Sequence, residues 1–190
     1  MKSKKIGTVL LAAIMVSFFV VMPASAQSLG EAVDNTALTW TTGGHANWFG
    51  QTTTSYYGGD AAQSGDIYNH EQSWIQTTVT GPGTLTFYWK VSSEDWYDYL
   101  IYIDGTEQDS ICGEVDWHQM RYNVGSGSHT LRWTFDKDVS ISDGYDCGWL
   151  DKVEFTPDTQ PIPEFSTIAL PVASILGLLF FFNYRKRRKE

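Results

Sequence analysis

From Phe165 to Tyr184 the chain runs for twenty residues without a charge, and Arg185, Lys186, Arg187, Arg188 and Lys189 follow at once. A helix of that length reaches ~30 Å at ~1.5 Å per residue, the thickness of a hydrocarbon core. Residues 165–190 are therefore expected to form a transmembrane helix with a basic cytoplasmic tail, which leaves the preceding chain outside the cell. Pro171 either kinks that helix or marks its start near Val172. The opposite end carries a matching address. Lys2, Lys4 and Lys5 precede an uncharged apolar run, Ile6 to Val21, and Ala24-Ser25-Ala26 supplies small residues for cleavage before Gln27. Residues 1–26 thus read as a secretory signal peptide.

Between these ends the chemistry changes. Residues 27–157 hold five basic and 19 acidic side chains, a net charge of −14, and all eight Trp of the chain. That much aromatic surface excludes a disordered segment. The acidity argues against a nucleic-acid partner, which requires cations to displace phosphate counterions.

The middle segment reads as all-β. Leu85, Phe87, Trp89 and Val91 alternate with Thr84, Thr86, Tyr88 and Lys90, the period of a half-buried strand. Leu131, Trp133 and Phe135 repeat the pattern, and Tyr97–Ile103 is a strand closed by the turn pair Asp104-Gly105. Further strands are expected at Ser73–Val79, Trp117–Val124 and Trp149–Phe155, with Gly81-Pro82-Gly83 and Gly125-Ser126-Gly127 as turns between strands. Many short strands over residues 27–156 imply an antiparallel β-sandwich, most simply a jelly roll. Residues 157–164 are rich in Pro and read as an extended spacer.

Pro163-Glu164-Phe165-Ser166-Thr167-Ile168-Ala169-Leu170-Pro171-Val172, then an apolar helix, then a basic tail, resembles the archaeal PEF-CTERM sorting signal. The resemblance implies a substrate of an archaeosortase-type membrane enzyme, cut near Pro163, Glu164 and Phe165 and anchored at the outer face of the cell membrane. Retention of the helix as the anchor is the alternative. A second resemblance covers about residues 38–156. Asp60-Ala61-Ala62-Gln63-Ser64-Gly65, Gly83-Thr84-Leu85-Thr86-Phe87-Tyr88-Trp89 and Gly148-Trp149-Leu150-Asp151 look like a module of bacterial and archaeal surface proteins. That module is similar to concanavalin-like and carbohydrate-binding jelly rolls.

Asp151 shares the period of Trp149, Val153 and Phe155, and a carboxylate on an apolar face needs hydrogen bonds, a cation or a metal. The second resemblance implies a structural Ca²⁺ held by Asp151 with Asp34 or Glu31, since Ca²⁺ collects oxygen ligands. Backbone N–H caps or an arginine partner are the alternatives. Glu114 and Asp116 fall on one strand face, as glycosidase carboxylates can, but His118 stands where a laminarinase-like enzyme has its second catalytic carboxylate. Trp48, Tyr56, Tyr57, Trp96 and Tyr145 fall in or near expected loops. They either cap the core or offer rings to sugar faces. Cys112 and Cys147, in an exported domain, are expected to form a disulfide closing a 35-residue loop. Such a bridge contributes ~3–4 kcal/mol. The chain thus reads as a non-enzymatic surface module that binds glycans, with a structural or adhesive role among envelope proteins as the alternative and a hydrolase as the least favoured.

Overall fold

The computed structural model describes residues 27–158 and 166–188. The expected signal peptide, residues 1–26, and the residues Pro163, Glu164 and Phe165 of the sorting motif lie outside the described residues. The elements in chain order are α1 (Leu29–Ala32), β1 (Trp40–Gly44), β2 (Phe49–Gln51), β3 (Ala61–Gln63), β4 (Gln72–Ser92), β5 (Tyr99–Asp104), β6 (Thr106–Cys112), β7 (Glu114–Asp136), β8 (Cys147–Pro157) and α2 (Ser166–Arg187). The strands pair antiparallel in the order β2-β3-β8-β4-β7-β5-β6, and β1 pairs with β4.

Two strands are far longer than their alternating patterns suggest. β4 and β7 pair from Gln72↔Asp136 to Ser92↔Glu114, through both glycine-rich segments expected to be turns between strands. Those segments are bends instead. Gly81 faces Gly127, the register shifts before Gly83↔Val124, and a Cβ on Gly81 would stand 1.9 Å from the Gly125 carbonyl oxygen. Only glycine permits that approach. Beyond the bend each long strand changes neighbours. The first part of β4 pairs with β1 and its second part with β8, while the second part of β7 pairs with β5.

One hydrogen-bonded sheet therefore folds over on itself and makes both layers of a sandwich. The inner faces meet through aromatic rings. Phe87 lies 5.1 Å from Trp133 and 5.2 Å from Tyr102, and Tyr102 lies 4.8 Å from Tyr122. Leu85, Phe87, Trp89, Val91, Leu131, Trp133 and Phe135 are all fully buried, as the period-two pattern requires. Each contributes roughly 1.5–3 kcal/mol by leaving water. The Asp104-Gly105 hairpin is present, with Gly105 at φ +70 between β5 and β6.

Three expectations need correction. Cys112 and Cys147 are free thiols. Ser92 pairs with Glu114 on one side and Cys147 on the other, so these two residues stand two strand spacings apart, about 9.5 Å. Cys112 lies beyond Gly113 and pairs with Tyr99. A disulfide needs Cα atoms within about 7 Å. The expected spacer also begins late, because β8 runs through Pro157 and Asp158 N–H still donates to the Pro82 carbonyl.

The expected transmembrane helix is the third. Among the described residues no helix is long and apolar enough to cross a membrane. Helix α2 ends in Arg185, Lys186 and Arg187, and residues 174–184 before them are exposed.

Candidate functional site

The site gathers on the outer face of the layer formed by β8 and the second part of β4. Asp151 is fully buried, but not in the sandwich core. It pairs with Tyr88, whereas the next residue, Leu150, pairs with Trp89. Opposite residues of an antiparallel pair share a face, so Leu150 and Trp89 point inward and Asp151 points outward with Tyr88. Lys152, at φ +47, lies where the register shifts. That bulge lets Val153 return to the core although Asp151 faces away from it. The expected shared phase of Asp151 with Val153 fails for this reason.

What buries Asp151 is the loop of residues 52–60. The backbone N–H groups of Tyr56 and Tyr57 donate to Asp151 Oδ2 at 2.7 and 3.0 Å, while Oδ1 is buried with no hydrogen-bond partner. Burial lifts its carboxyl to about 6, helped by the charge of Asp34 and opposed by the two N–H bonds. Asp34 and Asp60 close the other side. A Cβ on Gly58, at φ +67, would meet Asp60 Oδ1 at 2.9 Å and Asp34 Oδ1 at 3.1 Å. Burial and the charges of Asp34 and Glu31 raise the Asp60 carboxyl, and Gln27 Nε2 donates to Asp60 Oδ2. The chain before β1 is tied to β8 by Val153 N–H on the Val33 carbonyl, 2.9 Å, and by Asn35 Nδ2 on the Val153 carbonyl, 3.0 Å.

Asp151 and Asp34 are thus brought together as expected, and Asp60 joins them. Glu31 has another task. It closes the capping box of α1, accepting from Ser28 N–H at 3.0 Å, and those bonds hold its carboxyl low. Asp34 therefore neighbours both Asp60 and Asp151, and Asp151 Oδ1 is a hard oxygen buried without a hydrogen-bond partner.

The expected aromatic residues scatter. Trp48 is 2% exposed and belongs to the core, because Thr42 Oγ1 accepts its backbone N–H at 2.7 Å and turns it inward. Trp96 is 75% exposed on the β4–β5 loop, its N–H on Cys112 Sγ. Tyr145 is 81% exposed and edges onto Trp149 at 6.2 Å. Tyr56 meets two other rings, and Tyr57 beside it meets a cation. Tyr56 stacks on Tyr88 at 3.6 Å and 14°, with Trp117 6.3 Å away, and Lys152 Nζ lies 4.5 Å from the centre of the Tyr57 ring. From Tyr88 the same face continues into a groove of about 290 Å³ lined by Thr84, Thr86, Arg121, Glu154, Thr156 and Asp158.

Tyr88, Trp117 and Asp60 were not singled out from the sequence. Tyr88 had a signal, since it lies in the outward phase of the Leu85–Val91 alternation. Asp60 had none, because only the fold sets it beside Asp34.

At the end of the sandwich the carboxylates of Glu94, Asp98 and Asp138 lie within 4.8 Å of one another. This group already has a cation, since buried Lys137 Nζ stands 3.3 Å from Asp98 Oδ2. Glu114 accepts from Ser92 Oγ, and Asp116 is paired with Lys90 at 2.9 Å, which holds its carboxyl low.

Residues 162–188 match the PEF-CTERM archaeal protein sorting domain. This PEF-CTERM segment makes the chain an exported cell-surface protein and covers α2 with its basic end. No curated protein matches the sequence. Among solved structures the chain is similar to the secreted serine protease VesC of Vibrio cholerae, at 16% identity and TM-score 0.48, over 58% of this chain and 24% of the protease. The chain thus spans about a quarter of that protein. It is also similar to a cleaved adhesin domain of Lys-gingipain from Porphyromonas gingivalis, at 13% identity and TM-score 0.48, over 63% of this chain and 91% of the domain. A xylan-binding domain from Paenibacillus barcinonensis is similar at 15% identity and TM-score 0.40, over 69% of this chain and 91% of that one. At such identities no ligand or activity transfers.

Proposed function

We propose that the domain is a non-enzymatic module that binds glycan or polysaccharide chains at the cell surface. The supporting observation is the Tyr56–Tyr88 stack beside Trp117, half-exposed on a face that continues into a polar groove. Flat apolar rings suit the apolar faces of sugars, and Thr, Arg and Glu side chains in the groove suit their hydroxyls. Glu114 and Asp116, the pair that a glycosidase reading requires, are engaged by Ser92 and Lys90. The reading includes a structural Ca²⁺ held by Asp151, Asp34 and Asp60. The orphaned Asp151 Oδ1 and the absence of any Lys or Arg ion pair to these three among the described residues support it. It also includes processing of the tail near Pro163-Glu164-Phe165 by an archaeosortase-type enzyme, with the domain held at the membrane.

The test is binding of the full chain to a panel of polysaccharides and envelope glycans, with calcium and with a chelator. Saturable binding to one class, reduced about tenfold by Trp117→Ala with the melting temperature retained, is the expected result. A folded protein that binds none of the panel in calcium overturns the glycan reading. The mass of the mature protein tests processing, and an intact basic tail excludes it.

A further inference from the structure

Three loops meet at one end of the sandwich, residues 64–71, 93–98 and 137–146. Lys137 and Asp138 join them. Lys137 N–H donates to the Glu71 carbonyl at 3.0 Å, His70 N–H to the Asp138 carbonyl at 2.7 Å, and Asp138 N–H to Asp98 Oδ1 at 2.9 Å. On this framework Tyr68, Trp96, Tyr97, Val139, Ile141 and Tyr145 stand exposed. They are six of the nine large apolar side chains exposed on residues 27–158, so the apolar surface is concentrated at this end. Trp96 is the sharpest case. Its φ is +77, a left-handed backbone that a bulky residue rarely adopts. Trp96 N–H donates to Cys112 Sγ at 3.4 Å, and its carbonyl accepts from Tyr99 Oη at 2.7 Å. Those bonds fix the backbone, and the ring is left in water at no gain to the core. Beside it opens a cleft of about 490 Å³ lined by Ser93, Glu94, Asp95, Glu114 and Asp143. Glu94 Oε2 is buried with no hydrogen-bond partner, and burial, then the charges of Asp138, Asp98 and Asp143, raise its carboxyl. The sole Lys or Arg on the three loops is Lys137, which is buried and held by Asp98 and Asp146.

We propose that this end docks a basic segment of another protein, with an Arg or Lys side chain entering the cleft beside Trp96 and apolar neighbours of that side chain covering the exposed rings. A guanidinium or ammonium is attracted both to the face of an indole and to carboxylates, and residues 94–96 offer both in succession. The acidity selects against other occupants. A second copy brings the same carboxylates, an anionic lipid surface brings its own charge, and like charges repel. The course of the chain fits as well. β4 leaves this end at Gln72, bends at Gly81–Gly83 and returns at Ser92, where it pairs with Cys147 at the start of β8. β8 then runs for 11 residues, roughly 35 Å, to the bend, where Asp158 N–H donates to the Pro82 carbonyl. The chain thus leaves the sandwich for its sorting segment from the far end, which keeps the three loops clear for a partner. The surface shares no residue with the Tyr56–Tyr88 face, so neither reading depends on the other.

The experiment is binding of the full chain to a short fluorescent peptide of Arg and Leu, with the same peptide carrying Glu in place of Arg as its control. Saturable binding of the Arg peptide alone is expected. Trp96→Ala should weaken it about tenfold with the melting temperature retained. Glu94→Gln combined with Asp143→Asn is the second variant and should weaken it to a similar degree. Glu107→Gln removes an exposed carboxylate beside the β5–β6 turn, at the far end, and should leave binding within about twofold. Equal weakening by Glu107→Gln and by the loop variants marks diffuse attraction to an acidic domain and overturns the site. Undiminished binding by a folded Trp96→Ala protein overturns it too. Sedimentation and flotation with anionic lipid vesicles test the other occupants. Self-association or vesicle binding that Trp96→Ala abolishes, from a protein that ignores the Arg peptide, replaces the basic partner and overturns the proposal.

Discussion

Lys137 Nζ stands 3.3 Å from Asp98 Oδ2, and neither side chain is exposed. The same ammonium also donates to Ser142 Oγ at 2.8 Å and to Asp146. Asp98 Oδ1 accepts the backbone N–H of Asp138 at 2.9 Å. One buried cation thus ties the β4–β5 loop to the β7–β8 loop. Lys137→Met leaves Asp98 buried beside Glu94 and Asp138 without its counter-charge. It is expected to cost ~3–5 kcal/mol in chemical denaturation. Adding Asp98→Asn to the same protein is expected to recover part of the loss. Equal stability of Lys137→Met and the native protein would show that the pair carries no such weight.

The bend in the long strands admits a sharper test. Gly81→Ala sets a Cβ against the Gly125 carbonyl, which is backbone and has little room to yield. The expected loss is at least ~1–3 kcal/mol, read from the denaturation midpoint. Gly105→Ala is the comparison, because no atom lies within 4 Å of its Cβ position and only its φ of +70 opposes the change. A left-handed alanine costs roughly 1–2 kcal/mol. Gly81→Ala should be the worse of the two.

His129 Nδ1 lies 2.9 Å from Asp104 Oδ2, joining β7 to the β5–β6 turn. The hydrogen bond to Asp104 raises the His129 pKa above its ordinary 6.5, against a smaller effect of burial. The folded protein therefore holds this proton more tightly than the unfolded chain. The contribution is fully present below about pH 6.5 and is lost as pH rises through the raised value. Melting temperatures between about pH 5 and pH 9 should show this fall at the alkaline side, and His129→Gln should flatten it. An unchanged profile in the variant would remove His129 as its source.

The thiols can be told apart by labelling. Burial pushes the Cys147 thiol up to about 12, with the charges of Asp146, Glu114 and Asp66 adding to it, so it stays protonated and inert at pH 8. Cys112 is half-buried and should react first with iodoacetamide in the folded protein. Both should react after unfolding without any reductant. Label that appears only after reduction would restore the disulfide.

Much of the fold was legible. The alternation from Leu85 to Val91 and from Leu131 to Phe135 named the core residues of both layers, and Asp104-Gly105 named a hairpin. These are local signals, because side chains on a strand alternate with a period of two whatever lies across from them. The short strands β1, β2 and β3 had no such signal, since three to five residues are too few to show a period. The candidate site was half legible. Asp151 was marked as a carboxylate in an apolar strand, and Tyr56 and Tyr57 as aromatic residues in a loop. Nothing in the chain order joined them, because residue 56 and residue 151 meet only when β3 lies beside β8.

The sequence by itself determined an acidic, Trp-rich, all-β domain between two apolar, basic ends, because composition and period two act within a few residues. Only the tertiary structure decided the rest. It turned the glycine segments into bends, drew Trp48 into the core, kept Cys112 and Cys147 apart, and covered Asp151 with the Tyr56–Tyr57 loop. Each of these depends on which strands become neighbours and on a one-residue slip in register, such as the bulge at Lys152. Register is a relation between strands, and no single strand's pattern contains it.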